Sequence, residues 1–81
     1  MTGAFEVESS EAALEDWGRL PFAEAEAIAR AVESFARTGE GRVVYVDGEY
    51  VLFADDLVAI MLIDRERLYV DRVRSALPRG V

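Results

Sequence analysis

The stretch RVVYVDGEYVLFADDLVAIMLI, residues 42–63, decides the fold class. Arg42 to Val46 is β-branched and aromatic, the composition of a strand. Asp47-Gly48 follows, and no two-residue hairpin signal is stronger. A type I′ turn needs positive φ at both central positions, which Asp tolerates and Gly adopts freely. Glu49 to Ala54 is the answering strand, and Ala54-Asp55-Asp56 turns the chain again. Leu57 to Ile63 is apolar at each position, so it reads as a strand covered on both faces. A helix from Asp55 or Asp56 is the competing reading, but seven consecutive apolar residues leave such a helix no polar side. Asp64 to Arg67 then makes a polar turn, and Leu68-Tyr69-Val70 a short last strand. Val51, Phe53, Val58, Ile60 and Leu62 alternate with Tyr50, Leu52, Leu57, Met61 and Ile63, and both sets are apolar. The sheet therefore has two faces to cover.

Working back from residue 42, the pattern changes period. Thr38-Gly39-Glu40-Gly41 closes a helix spanning Pro21 to Arg37, with Gly39 as its left-handed cap. Phe22, Ala25, Ile28, Ala29, Val32, Phe35 and Ala36 recur at three- and four-residue steps, a single apolar stripe. Pro21 suits the start, where its missing N–H is no loss. Further upstream, Phe5 and Val7 alternate with Glu6 and Glu8 as in a short strand with one wet face. Ser9-Ser10 offers an N-cap for a short helix over Glu11 to Trp17, which Gly18 is placed to stop. Trp17, the sole tryptophan, is expected to anchor this segment to the core. Downstream, residues 71–81 form a basic tail, in which Val70, Val73 and Leu77 stand at helical spacing before Pro78.

The expected fold is α+β: an antiparallel three- to four-stranded meander, one long amphipathic helix on one face, and a short acidic N-terminal element at 1–20. It makes one domain, since 81 residues hold a single thin core. One helix covers one face. The chain has little besides its N-terminal segment to cover the other, so a second copy of the chain is expected there, with Val51, Phe53, Val58, Ile60, Met61 and Leu62 as the interface.

Composition removes most chemistry. The chain contains no Cys, His, Lys, Asn or Gln, and all nine bases are Arg. Disulfides, thiolates, zinc fingers and His-dependent triads are excluded. Ser9, Ser10, Ser34, Ser75, Thr2 and Thr38 have no histidine or lysine to activate them. Asp47, Glu49, Asp55 and Asp56 lie near one end of the hairpin, yet no calcium-loop spacing accompanies them and the turns need the aspartates. Gly39-x-Gly41 follows a helix, the reverse of phosphate-loop order, and lacks the lysine. No catalytic, cofactor-binding or metal residue is expected. Loss of Asn, Gln and Cys is a thermophile tendency; a GC-rich genome produces the same bias. No apolar run approaches the ~18 residues of a membrane span, and no basic leader precedes one, so a cytoplasmic protein is expected.

Charge is uneven. Residues 1–34 carry eight acids and two arginines, while residues 65–81 carry five arginines and two acids, within a net −7. Opposite ends of this kind associate head to tail or hold their own chain together. The acidic half is a candidate surface for a protein partner. Arg65, Arg67, Tyr69, Arg72 and Arg74 are the alternative, a stripe able to grip phosphates and stack bases, although the net charge opposes nucleic acid. DGEYVLFADDLVAIMLID (47–64) and LYVDRVRSALPRG (68–80) resemble parts of a small bacterial DNA-associated family, the extracellular matrix regulators. In that family the hairpin comes early and a basic, serine-containing tail comes last. This chain departs in placing its long helix before the hairpin and in being acidic. The resemblance therefore implies only the alternative, a nucleic-acid-associated regulator. The main expectation is a small non-enzymatic protein-interaction or regulatory module that self-associates through its sheet.

Overall fold

The computed structural model describes residues 4–75. It contains β1 (Glu6–Ser9), α1 (Glu11–Arg19), α2 (Phe22–Thr38), β2 (Arg42–Val46), β3 (Glu49–Ala54), β4 (Leu57–Asp64) and β5 (Arg67–Ser75). The five strands make one sheet in the order β1-β5-β4-β3-β2. The meander β2 to β5 is antiparallel throughout, and Asp47 (φ 51°) and Gly48 (φ 83°) adopt the positive dihedrals of a type I′ turn.

This overturns the expected three- to four-stranded antiparallel meander with one helix. The sheet has five strands, is mixed, and is served by two helices. The difference lies in the N-terminal element. β1 inserts beside β5 and pairs with it in parallel, Glu6 opposite Arg67 and Ser9 opposite Val70. Adjacent hairpin strands announce themselves by a turn, whereas this pairing joins segments some sixty positions apart and leaves no local signal.

A second correction concerns the chain after Val70. β5 continues through Asp71, Arg72, Val73 and Arg74 to Ser75, where a basic tail with a helical turn was expected. Met61 pairs with Val70 but Ile60 pairs with Arg72, so Asp71 is the extra residue of a β-bulge. The bulge returns Val73 to the face of Val70, and both are buried. Three-residue spacing on one face thus comes from a bulged strand and imitates a helix. Leu77 and Pro78 lie outside the described residues.

Helix boundaries follow their caps. Ser10 Oγ accepts from the Ala13 N–H at 2.9 Å, which fixes the start of α1. Gly18 does not stop this helix, which runs on to Arg19 and ends at Leu20. Pro21 precedes the first residue of α2, and Gly39 (φ 80°) ends it by donating to the Phe35 carbonyl at 2.8 Å. The buried side of α2 is Ile28, Val32 and Ala36; Phe22 and Ala29 fall off it and are exposed.

Both helices pack on one face of the sheet. Ala13, Ile28, Val32 and Ala36 meet Leu52, Leu57, Ala59, Met61, Leu68, Val70 and Val73 in one core. Each fully buried Leu, Ile or Met in it contributes roughly 1.5–3 kcal/mol. Trp17 packs against this core and donates its Nε1–H to the Ala25 carbonyl at 3.1 Å, tying α1 to α2. Phe5 stacks on Phe35 with ring centroids 6.3 Å apart, and its N–H reaches the Ala36 carbonyl at 2.8 Å.

At Gly41 a core side chain lies close against the backbone. The glycine has a φ of +148°, and a Cβ there would stand 2.9 Å from Cδ1 of the buried Leu52. Gly41→Ala is expected to cost roughly 1–3 kcal/mol through overpacking and a disfavoured dihedral. Thermal melting checks it, at about 4–8 °C per kcal/mol for a domain this size.

Candidate interaction surface

Cross-strand register places side chains in rows on the face away from the helices. One row is Arg42, Phe53, Val58 and Arg74. The next is Val44, Val51, Ile60 and Arg72, and a third joins Leu62 to Tyr69 and Glu8. No described element packs on this face: the described helical contacts fall on the opposite side, with Leu52, Met61, Val70 and their neighbours. Val44, Leu62 and Tyr69 are exposed, while Val51, Phe53 and Ile60 are half-buried by one another. The Arg42 guanidinium lies over the Phe53 ring at 5.9 Å. The result is an apolar centre with Arg42 and Arg74 at its margins, the anatomy of an interaction surface with a dry core and a polar rim.

Five of the six residues expected at an interface, Val51, Phe53, Val58, Ile60 and Leu62, come together here. Met61 does not. It is fully buried on the helix side, as strict alternation from Ile60 and Leu62 requires.

The arginines of β5 are largely spoken for. Arg67 reaches Glu8 at 3.4 Å and Glu6 at 4.0 Å, a parallel-strand neighbour contact between exposed groups. Arg72 turns off the open face to grip Asp16 of α1, Nε to Oδ2 at 2.8 Å and a second N–H to Oδ1 at 3.2 Å. Asp16 Oδ2 also accepts from the Val73 N–H at 3.0 Å. These hydrogen bonds, that from Arg72 foremost, hold the Asp16 carboxyl below its ordinary value and outweigh the opposing effect of its burial. The same bond holds Arg72 more firmly protonated.

This arrangement has a structural purpose. β1 covers β5 only as far as Val70. Beyond it, Ser10 donates its N–H to the Val70 carbonyl at 2.9 Å and its hydroxyl to the Asp71 carbonyl at 2.7 Å. Asp16 then takes the Val73 N–H, so α1 replaces the missing strand along the bulged edge. Pattern reading did not single out Asp16. Its only sequence trace is the acidic N-terminal half facing a basic C-terminal one. That half is also less available to a partner than its composition implies, because Glu6, Glu8 and Asp16 bind arginines of their own chain, and Glu26 pairs with Arg30 at 3.3 Å.

Among the described residues no cluster of His, Cys, Asp or Glu has the grouping to hold a metal ion. Asp47, Asp55 and Arg65 instead serve tight turns with positive φ. A cleft between β1, α1 and α2 is lined by Val7, Trp17, Ala29, Val32 and Glu33, and no nucleophile or acid–base pair faces it.

No protein-family model matches the chain, and no curated protein matches it in sequence. Solved structures do. The fold matches a chain of the RelBE2 toxin–antitoxin complex from Mycobacterium tuberculosis with a TM-score of 0.78, over 95% of this chain and 98% of that one, at 16% identity. A chain of the chromosomal ParDE toxin–antitoxin system from P. aeruginosa matches at 0.75, over 94% and 100%, with 12% identity. One from the RelB–RelE antitoxin–toxin complex of Methanococcus jannaschii matches at 0.70, over 84% and 88%, with 9% identity. The likeness is one of fold. It spans both helices and the sheet, so the mixed five-stranded arrangement is a known architecture. No described helix is long and apolar enough to cross a membrane.

Proposed function

We propose that this chain is a small protein-interaction module that acts by binding, as the self-folding member of a pair of different proteins. The observation that carries the reading is the open sheet face. Val44, Val51, Phe53, Ile60 and Leu62 form an apolar centre, edged by Arg42 and Arg74, that no described element covers. The largest contiguous apolar patch on a protein surface is often its site of interaction. The likeness of fold to chains found in two-protein toxin–antitoxin complexes supports the same reading.

The chemistry of the face selects its occupant. Arg42 and Arg74 stand at one end of the face and Glu8 and Glu49 at the other, so the occupant it favours is an apolar segment with carboxylates at the end that meets the arginines. Of the two parts in such a pair, a chain with its own core fits the member that is folded before it binds. The arginine stripe weighed for nucleic acid is a weaker candidate, because Arg67 and Arg72 are engaged with carboxylates of the same chain.

The test is co-purification of the tagged chain from its source cell, parent beside Leu62→Glu. Leu62 is exposed, so the variant is expected to melt within about 1 kcal/mol of the parent. The parent should retain one protein in stoichiometric amount, and Leu62→Glu should lose it. Retention at the parent's level by a folded Leu62→Glu removes the open face from the interaction.

A further inference from the structure

β2 is the one edge of the sheet that nothing described protects. At the other edge β1 is short, bears Glu6 and Glu8, and is continued by α1 with its hydrogen bonds from Ser10 and to Asp16. Such charges and covers are what keep strand edges from pairing with other chains. β2 reads Arg42-Val43-Val44-Tyr45-Val46, with Val44, Tyr45 and Val46 all exposed. It has no proline and no bulge, and its one charge, Arg42, stands at the end far from the turn and lies over Phe53.

The hairpin fixes which backbone groups point outward. In a two-residue hairpin the residues flanking the turn, Val46 and Glu49, exchange hydrogen bonds, and bonded pairs then alternate along the ladder. Val44–Val51 and Arg42–Phe53 are therefore bonded pairs, and Val43–Leu52 and Tyr45–Tyr50 are not. The Tyr45 and Tyr50 rings, 4.8 Å apart, show the close approach of a non-bonded pair. Val43 and Tyr45 accordingly turn their N–H and C=O groups to the free edge.

We propose that two copies of this chain pair β2 with β2 antiparallel, on a two-fold axis at Val44, to form one continuous sheet. In that register Val43 of each copy meets Tyr45 of the other, and every outward N–H and C=O on both residues finds a partner. Val44 then faces its own copy as a non-bonded pair, with Cα atoms about 4.5 Å apart. Arg42 stands in the same row as Val46 and Glu49 of the second copy, so the charges that share a row across the seam are opposite and no like charges oppose. The pairing is isologous, as a closed dimer requires. It also leaves the open faces of both copies on one side of the joined sheet, free for another protein.

Light scattering at micromolar concentrations tests the mass. The parent should give twice 9.0 kDa. Val44→Lys and Val44→Glu should each give the monomer mass, because like charges then stand at the two-fold axis. Mixed one to one, the two variants should return to the dimer mass, which only residues that face each other can do. Tyr45→Pro is the folding control. Its ring removes an N–H that points outward, not one used by β3, so a monomer with the parent's far-ultraviolet dichroism is expected. A parent that is monomeric, a dimeric Val44→Lys, or a mixture that fails to reassociate overturns the proposal. Leu62→Glu should stay dimeric, which separates this inference from the fate of the open face.

Discussion

Met61→Glu is expected to abolish cooperative folding at neutral pH, while Leu62→Glu, one residue away, melts close to the parent. Met61 is 0% exposed, enclosed by the helices and by Val70 across the ladder, whereas Leu62 is on the open face and 39% exposed. A carboxylate at 61 would have no hydrogen-bond donor or cation to meet, since no polar residue is buried anywhere in the described core. Burying such a charge costs several kcal/mol even after relaxation. A domain of this size has only about 5–15 kcal/mol in total, toward the lower end for a small core. Circular dichroism melts of the two variants decide the matter. If Met61→Glu melted like the parent, residue 61 would be on the open face. The whole of β4 would then be slipped by one position, because a one-residue shift exchanges the two faces of a strand.

The contrast between residues 61 and 62 also marks what the sequence could and could not tell. Alternation along 49–63, with Asp47-Gly48 to set the register, was enough to separate Val51, Phe53, Val58, Ile60 and Leu62 from the set containing Met61. It could not say which set faces the helices, since both are apolar. Met61 was therefore grouped with residues of the opposite face. Two other features escaped for different reasons. β1 pairs with β5 across two intervening helices and three strands, and a parallel neighbour leaves no turn in the sequence. The bulge at Asp71 made Val70 and Val73 look helical because it adds one residue to a period of two. The turn over Asp64 to Arg67, by contrast, was legible from its polar residues, although Arg65 takes a positive φ of 59° without the Gly or Asn that usually accompanies one. The open face itself was legible as an excess of apolar surface. The bare β2 edge was not, because exposure of an edge depends on strand order, and strand order depended on β1.

Asp16→Ala is expected to cost roughly 2–3 kcal/mol, the range of a hydrogen bond made by a charged group whose partners are left behind. The carboxylate receives Arg72 twice and the Val73 N–H once, and its side chain is only 10% exposed. Alanine would leave the Val73 N–H unpaired on the bulged edge of β5. The loss stays below that of a fully buried pair because Arg72 is 43% exposed and can turn to water. Asp16→Asn keeps an acceptor for the Val73 N–H and removes the charge, so its loss should be smaller. The pH dependence separates charge from shape. Because the folded protein holds the Asp16 carboxyl below its ordinary value of 3.8, the carboxylate's contribution is fully present above that value. It is lost as pH falls through the lower, folded value, where the native state finally takes up the proton. The gap in melting temperature between parent and Asp16→Asn should accordingly be constant near neutrality and shrink only below about pH 4. A gap that persisted undiminished into strong acid would show that Asp16 acts through its shape alone. The closure of the β5 edge by α1 would then rest on Ser10, whose hydroxyl and N–H carry no charge to lose.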